Sequence, residues 1–149
     1  MKIGELAERS GCLVETIRYY ERIGILMPPQ RLSNNYRIYN EQHSERLSFI
    51  RHCRALDMTL DEIRVLLEFR DQPDKDCVGV NELLDKHIGH VVERLASLSA
   101  LELQLRDLRK RCVTTDSAGS CEILHALSSE TPIDSSKLGV HGQVVDVVR

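Results

Sequence analysis

The sequence lacks the long apolar runs and low-complexity stretches that mark membrane, secreted or disordered proteins. Its 149 residues include no tryptophan, four prolines and eight glycines, and only 4% are aromatic. No stretch longer than eight residues is free of charged side chains, whereas a membrane-spanning helix needs about 20 apolar residues. Glu5 and Glu8 lie where a secretory signal would be apolar. With 42% hydrophobic residues the chain can bury a core, so we expect a globular cytoplasmic protein without a membrane partner.

Few features of an enzyme are present. The five cysteines are an odd number and lie far apart, and none forms the C-x-x-C pair of thiol oxidoreductases. Acid and base residues do not cluster either. We therefore expect no enzyme, and a thiol redox protein stays open as an alternative. In a reducing compartment the cysteines are left for metal binding, redox chemistry or packing.

The net charge of −3 conceals an asymmetry between the two parts of the chain. Residues 1–54 carry nine Lys or Arg against six Asp or Glu, whereas residues 71–149 carry nine against thirteen. A basic N-terminal part on an acidic protein indicates a local nucleic-acid face, with an ordinary solvated surface as the alternative.

The first 24 residues predict a helix-turn-helix unit. The apolar positions recur at helical spacing on both sides of Ser10-Gly11: Ile3, Leu6 and Ala7 before it, and Val14, Ile17 and Tyr20 after it. Gly24 is placed to end the second helix. Two short helices joined by a tight turn form a unit whose second helix can enter a DNA major groove.

A small β-hairpin wing is predicted next. Pro28-Pro29 prevents further helix, and Leu32–Tyr39 has the aromatic and β-branched residues of a hairpin, with Asn34-Asn35 at the turn. A third helix is predicted from the N-cap Asn40, and a fourth from Thr59, which has capping-box spacing to Glu62. The sequence therefore predicts an all-α-dominated fold that opens with a winged helix-turn-helix domain.

The predicted DNA contacts are polar side chains of the second helix and of the wing. They are Thr16, Arg18, Tyr19, Tyr20 and Arg22 on the helix, and Asn35, Tyr36, Arg37 and Tyr39 on the hairpin, with Arg31 beside them. Arginine reads guanine edges or binds phosphate, and tyrosine and threonine hydroxyls bind the backbone. For Tyr20 and Tyr39, core packing is the alternative.

A long helix with an apolar seam is predicted between Cys77 and Cys112, with Asp76 as N-cap. The seam residues follow each other at steps of three or four: Leu84, Ile88, Val91, Leu95, Leu98, Leu101, Leu105 and Leu108. Such a helix would be about 50 Å long at about 1.5 Å per residue. Because so small a chain cannot cover that seam itself, we expect an antiparallel coiled coil with a second copy, and hence a homodimer.

Three cysteines bracket this helix and predict a metal site. Cys77 and Cys112 of one chain cannot meet along a straight helix, whereas in an antiparallel dimer Cys77 of one chain faces Cys112 and Cys121 of the other. Three thiolates favour soft metal ions. The alternative is that these cysteines are small buried hydrophobic residues. His125 is a candidate fourth ligand.

The remaining cysteines and two histidines are given other roles. We expect Cys12, in the helix-turn-helix turn, and Cys53, on the inner face of the third helix, to pack in the core. His87 and His90 lie on or beside the seam and are expected to be solvated or buried without metal.

The predicted organisation has four parts. Residues 1–70 form the DNA-binding domain, 71–111 the linker and dimerisation helix, 112–127 the metal-binding loop and short helix, and 128–149 a disordered tail.

Several motifs together resemble the MerR family of bacterial transcription regulators. They are Ile3-Gly4-Glu5-Leu6-Ala7, Glu15-Thr16-Ile17-Arg18-Tyr19-Tyr20-Glu21, Asn35-Tyr36-Arg37-Ile38-Tyr39, Arg46–Arg54 and Leu56–Ile63. The resemblance covers residues 1–127, and Cys77, Cys112 and Cys121 fall on the family's metal-ligand positions. Asp76-Cys77 and Asn81–Ile88 look most similar to the lead- and cadmium-sensing branch.

The resemblance implies a function and a mechanism. Such a homodimer binds a promoter whose spacer is too long, represses transcription without metal, and distorts the spacer on binding Pb(II) or Cd(II), so that RNA polymerase transcribes heavy-metal resistance genes. A mercury-responsive regulator is the alternative within the family, and a regulator of an organic ligand is the alternative outside the metal sensors. Zinc fits less well because no second cysteine lies beside Cys112.

Two positions depart from the family pattern. Asn34 stands where the wing turn usually carries glycine, and asparagine is the next residue to tolerate a left-handed backbone. Leu13 replaces a common proline at the start of the recognition helix.

Overall fold

The structure is a computed structural model that describes residues 1–113 and 115–129, and helices dominate it. The helices are α1 (Ile3–Ser10), α2 (Val14–Arg22), α3 (Glu41–Ala55), α4 (Leu60–Arg70), α5 (Val78–Lys110) and α6 (Glu122–Ser128). Strands β1 (Gln30–Arg31) and β2 (Arg37–Ile38) form a two-stranded antiparallel sheet. A 3₁₀ turn at Ala118–Ser120, which the sequence did not predict, precedes α6. The predicted winged helix-turn-helix fold with its long helix is confirmed.

The chain divides into two compact units. The first comprises Met1–Leu84 and the second begins at Asp85, so the division falls inside α5. Within the described residues, no helix is both long and apolar enough to cross a membrane.

The core of the first unit is formed by α1 to α4 and the wing. Helix α1 packs against α2 and α3, and α3 packs against α4. The buried core residues are Leu6, Ile17, Tyr20, Ile25, Leu26, Tyr39, Leu47, Ile50, Cys53, Met58, Ile63 and Leu67. The predicted inner position of Cys53 is confirmed.

The predicted helix starts at Asn40 and Thr59 are both confirmed as capping boxes. The Asn40 side chain accepts a hydrogen bond from the backbone N–H of His43 at 3.3 Å, and the His43 ring accepts one from the Asn40 N–H at 3.1 Å. Thr59 and Glu62 exchange the same pair of bonds at 3.2 and 3.0 Å. These contacts satisfy backbone donors that have no partner inside a helix.

The wing begins two residues earlier and ends one residue earlier than predicted. Its strands pair Gln30 with Ile38 and Arg31 with Arg37, so the first strand directly follows the two prolines. The left-handed residue of the turn is Asn35, with a φ of 66°, rather than Asn34. Asn34 instead accepts a hydrogen bond from the Tyr36 backbone N–H at 3.3 Å through its side chain, a local bond that stabilises turns.

Helix α5 begins at Val78 and ends at Lys110, one and two residues inside the predicted limits. The N-cap position is Cys77 rather than the predicted Asp76, because the Cys77 carbonyl accepts the first helical hydrogen bond from the Asn81 N–H at 3.0 Å. Asp76 lies one residue further out, and its carboxylate accepts a hydrogen bond from the Val78 N–H at 3.1 Å. Helix α6 ends at Ser128, where the disordered tail was predicted to begin. Residues 130–149 of that tail lie outside the described part of the chain.

Most of the predicted seam of α5 faces solvent in the single chain. The exposed fractions are 37% for Leu84, 57% for Ile88, 39% for Val91, 60% for Leu95, 54% for Leu98 and 56% for Leu105. Leu101 and Leu108 are half-buried. An apolar stripe of this length is a surface that favours a helical partner.

Gly11 ends α1 in the left-handed region, with a φ of 62°, and an added Cβ would lie 2.6 Å from a guanidinium nitrogen of Arg51. That guanidinium donates a hydrogen bond to the Ser10 carbonyl. We therefore expect Gly11→Ala to lower the free energy of unfolding by about 1–3 kcal/mol in urea titrations, because it adds backbone strain and displaces Arg51.

The matched control is Gly4→Ala in the same helix, where an added Cβ meets no atom within 4 Å. Alanine favours helix over glycine by up to about 1 kcal/mol, so this variant should be as stable as the wild type or more stable. Equal stability of the two alanine variants would contradict the assignment of Gly11 as a strained position.

Candidate nucleic-acid interface and metal centre

The recognition helix α2 presents an exposed basic face. Arg18 and Arg22 are exposed, and Tyr19 is half-buried beneath them. The Arg22 guanidinium lies over the Tyr19 ring at 5.3 Å from the ring centroid, a cation–π contact that orients the arginine. These three predicted contact residues are therefore accessible on one helix.

The wing presents a second exposed group. Asn35, Tyr36 and Arg37 are all exposed, and Tyr36 retains 60% of its surface. Arg31 donates a hydrogen bond to the Asn35 side chain at 2.7 Å, which braces the turn, and the Lys2 ammonium lies 5.9 Å from the Tyr36 ring centroid. A polar, flat aromatic tip of this kind suits contact with a phosphate backbone.

A groove of about 770 Å³ lies between α1, α2 and the wing. Its lining residues are Lys2, Ile3, Gly4, Glu5, Glu8, Arg18, Asn34, Asn35, Tyr36 and Arg37. Arg18 and Arg37 therefore border the same groove although 19 positions separate them in the sequence. Lys2 joins them, and the sequence analysis missed it because a lone lysine before a helix gives no signal of its own.

Three predicted contact residues are buried instead. Tyr20 is 4% exposed, Tyr39 is 1% exposed and Thr16 is 8% exposed. A side chain without exposed surface offers none to DNA, so burial favours the packing role over direct contact at these positions. Tyr20 and Tyr39 instead join the leucine and isoleucine side chains of the core.

Tyr39 connects the wing to the recognition helix. Its hydroxyl donates a hydrogen bond to the Glu21 carboxylate at 2.6 Å. Burial, together with that hydrogen bond and the negative charge of Glu21, raises the pKa of Tyr39 well above its usual range, so the phenol stays protonated and keeps donating. The bond therefore holds strand β2 against α2, the two elements that carry the predicted DNA contacts.

Cys112 and Cys121 lie together in the second unit. Cys121 immediately precedes α6, and the backbone N–H of Leu124, with smaller contributions from the Cys112 thiol and the Ile123 N–H, lowers the pKa of Cys121. A helix N-terminus stabilises a thiolate in this way. Two of the three predicted metal ligands are thus neighbours, and one of them is easily ionised.

Cys77 is exposed at the start of α5. Among the residues that the structure describes, no three potential ligands of the His, Cys, Asp or Glu type meet within the chain. His125 is held by its own loop, because its Nε2 donates to the Gly119 carbonyl at 3.0 Å, and this leaves Nδ1 as the nitrogen with a free lone pair.

The other two cysteines differ from Cys121 in the direction of their pKa shift. Burial raises the pKa of Cys12, which lies half-buried in the turn between α1 and α2, and also raises that of Cys53 in the core. A thiol whose ionised form is disfavoured is a poor metal ligand. The packing role predicted for both fits this environment. Of the two histidines near the seam, His87 is buried and His90 is exposed.

Comparison with known families matches most of this chain. Residues 1–69 match the family described as MerR HTH family regulatory protein, and residues 44–108 match the family described as MerR, DNA binding. The chain belongs to the MerR family. The resemblance found in the motifs is thereby confirmed, and so is the expectation that the chain is not an enzyme, since members of this family are transcription regulators.

Individual MerR-family proteins are similar over nearly their whole length. A ZntR homologue of Haemophilus influenzae, described as an HTH-type transcriptional regulator, is 48% identical over 116 residues, which cover 78% of this chain and 86% of that protein. The crystal structure of PbrR691 from Ralstonia metallidurans in complex with lead(II) is 49% identical, with a TM-score of 0.77, and the match covers 86% of this chain and 99% of that one.

A mercury complex is also similar. The crystal structure of MerR from Bacillus megaterium in complex with mercury(II) is 33% identical, with a TM-score of 0.67, and the match covers 87% of this chain and 100% of that one.

The lowered pKa of Cys121 predicts an order of thiol reactivity. In reduced, metal-free protein at neutral pH, iodoacetamide should modify Cys121 before Cys12 and Cys53, because a lower pKa leaves more thiolate at a given pH. Raising the pH should reduce the difference in alkylation rate between Cys121 and the other two cysteines, because their thiols then ionise as well. Peptide mapping by mass spectrometry at short reaction times measures each site.

Unfolded protein in urea is the control, since there the environment no longer distinguishes the cysteines. Faster alkylation of Cys12 or Cys53 than of Cys121 in the native protein would contradict the assignment.

Proposed function

We propose that this protein is a metal-responsive transcriptional regulator that binds promoter DNA as a homodimer. Without metal it represses, and on binding Pb(II) or Cd(II) it activates heavy-metal resistance genes by distorting the promoter spacer. It would act on RNA polymerase at the bound promoter, and hence in the cytoplasm. The observation that carries the proposal is the pairing of Cys112 with an acidic Cys121 thiol in a chain of the MerR fold.

The proposed DNA contacts are exposed side chains of α2 and the wing, of which Arg18, Tyr36 and Arg37 line the groove. Arg18 and Arg22 would enter or flank the major groove, while Tyr36 and Arg37 of the wing would bind the adjacent backbone. Lys2 is added to this set because it lines the same groove. Tyr20 and Tyr39 are assigned to the scaffold that supports these contacts.

The proposed dimer follows from the surface of α5. This helix contains 33 residues, about 50 Å at about 1.5 Å per residue, and its apolar seam is largely exposed. An antiparallel partner helix would cover the seam from Leu84 to Leu108. A two-fold axis then brings each end of one helix to the opposite end of the other.

The same arrangement completes the metal site. Cys112 and Cys121 of one subunit would be joined by Cys77 of the partner subunit, giving three thiolates at each end of the helix pair. Thiolates are soft donors that select soft, polarisable ions over Mg²⁺ or Ca²⁺. His125 is the candidate fourth ligand through Nδ1.

Pb(II) is the preferred inducer, with Cd(II) next. The lead(II)-bound PbrR691 structure is the more similar of the two metal complexes, and three thiolates suit lead without a fourth ligand. Hg(II) is the second candidate because a mercury(II)-bound relative is also similar. Zn(II) follows, on the strength of the ZntR homologue, although Val113 stands where a second cysteine beside Cys112 would assist zinc.

The proposed mechanism is a shift between two DNA shapes. Twisting or bending the DNA of a promoter spacer requires on the order of 1–6 kcal/mol. The metal has to favour the activating conformation by a comparable amount, since a ligand moves an equilibrium only by its difference in affinity for the two states.

Mixed dimers test the shared site. Cys77→Ser and Cys121→Ser homodimers should each bind Pb(II) weakly, whereas a dimer that combines one subunit of each kind should regain one complete site. The regained site takes Cys77 from one subunit and the Cys112–Cys121 pair from the other. Thiolate-to-lead charge-transfer absorbance during titration of reduced protein, repeated with Cd(II), Hg(II) and Zn(II), reports the binding and ranks the metals.

A mixture of Cys112→Ser and Cys121→Ser subunits is the matched control, because both changes damage the same half of the site and no combination restores it. Strong lead binding by Cys77→Ser alone, or no recovery on mixing it with Cys121→Ser, would overturn the shared site.

Substituting Arg18 tests the DNA interface. We expect Arg18→Ala to weaken operator binding about tenfold and to lower the salt dependence by about two ions per dimer, because each subunit loses one exposed positive charge in the groove. Fluorescence anisotropy over a range of salt concentrations measures both. Lead titration of the variant should be unchanged.

Arg9→Ala removes the same charge from the same unit, but Arg9 pairs with Glu41 at 3.0 Å and does not line the groove. This control should bind the operator nearly as the wild type does. An equal loss of operator affinity in Arg18→Ala and Arg9→Ala would argue against the proposed interface.

A further inference from the structure

One arginine connects the end of the recognition helix to the start of the linker. The Arg46 Nε donates a hydrogen bond to the Ile25 carbonyl at 2.8 Å, and its Nη1 lies 3.0 Å from both carboxylate oxygens of Asp71. The Arg46 side chain keeps only 16% of its surface exposed, whereas that of Asp71 keeps 53%. A planar guanidinium can hold both partners at once because its donors are fixed in a fork.

Both partners of Arg46 lie just beyond the end of a helix. Ile25 lies three residues after the end of α2, and Asp71 is the residue that caps the end of α4. The chain then needs five residues to reach Cys77 from Asp71. A displacement of the linker would therefore also displace Asp71, to which Arg46 is bound.

The start of α5 is fitted tightly to the end of α4. An added Cβ at Gly79 would overlap the ring of Phe69, so ring and backbone are in close contact there. The Lys75 ammonium lies over the same ring at 5.6 Å from its centroid. Cys77 immediately precedes this helix start, whose backbone is in close contact with the last turn of α4.

A second arginine binds the end of α2 without this connection. Arg64 donates to the Ile23 carbonyl at 2.8 Å, but within the described residues no ion pair is recorded between Arg64 and the linker. Arg64 therefore connects the end of α2 to α4. Of the two arginines, Arg46 is the one that connects the end of α2 to Asp71.

We propose that Arg46 is a positioning residue that couples the Cys77 end of α5 to the recognition helix through its simultaneous contacts with Asp71 and the Ile25 carbonyl. This inference rests on the proposed metal-responsive function. Metal binding at Cys77 moves the linker, Asp71 moves with it, and the guanidinium carries the change to the end of α2. Arg46 contacts neither metal nor DNA in this role.

Asp71→Asn tests the coupling with little risk to the fold, since the Asp71 side chain is half-exposed. The quantity measured is the ratio of lead-induced to basal transcription in a purified system with RNA polymerase. Coupling between two binding sites is typically worth a factor of about 5 to 150, and we expect the ratio to fall about fivefold in this variant. Lead affinity and metal-free operator affinity should each stay within about twofold of the wild type.

Three further variants separate coupling from stability. Glu41→Gln breaks the Arg9–Glu41 ion pair, which has the same 3.0 Å separation in the same unit but touches neither the linker nor the end of α2, and should leave the ratio unchanged. Asp71→Glu keeps the carboxylate and should restore most of the ratio. Arg46→Lys keeps the charge but not the fork, and should behave as Asp71→Asn does.

The outcomes distinguish the inference from the function on which it rests. A wild-type ratio near one with every metal would refute the proposed function and the inference with it. A responsive wild type with an equally responsive Asp71→Asn variant would overturn the coupling role alone. So would an equal fall in the Glu41→Gln control, or a fall in Asp71→Asn explained by lost operator or lead affinity.

Discussion

The length of α5 is the constraint on which the proposed assembly depends. A helix of 33 residues keeps the sulfur at its start about 50 Å from those beyond its end, and it leaves an apolar stripe exposed along its side. An antiparallel partner helix would cover the apolar stripe. It would also place the start of one helix beside the end of the other. In the proposed dimer, metal binding and subunit association are therefore not separable, and a sensor built this way responds only as a pair.

Side-chain hydrogen bonds hold the elements of the DNA-binding unit together. Arginines of α3 and α4 donate to backbone carbonyls at the ends of other elements: Arg46 to Ile25, Arg51 to Ser10 and Arg64 to Ile23. Tyr39 ties the wing to α2 through Glu21. Because charged donors form strong hydrogen bonds to carbonyls, we expect a displacement applied at Asp71 to move the recognition helix and the wing together.

Much of the fold could be predicted from local sequence signals. The capping residues Asn40 and Thr59 act through neighbours three positions away, so their roles are visible in the sequence. The hydrogen bond of Tyr39 and the bridge made by Arg46 depend on partners 18 to 25 positions away, which no local pattern records. The sequence placed Asn34-Asn35 at the wing turn without distinguishing between them, and in the structure Asn35 adopts the left-handed backbone.

The two cysteines of the second unit bear on how a metal could drive the change. The Cys121 thiolate is stabilised by backbone N–H groups of α6 and by the neighbouring Cys112, so two candidate donors are neighbours within one chain. A preorganised pair loses little freedom on binding. In the proposed dimer the third thiolate, Cys77 of the partner subunit, is the donor that must be brought into place. We expect the bond to this third thiolate to be the one that moves the linker, because Cys77 is the donor next to that linker.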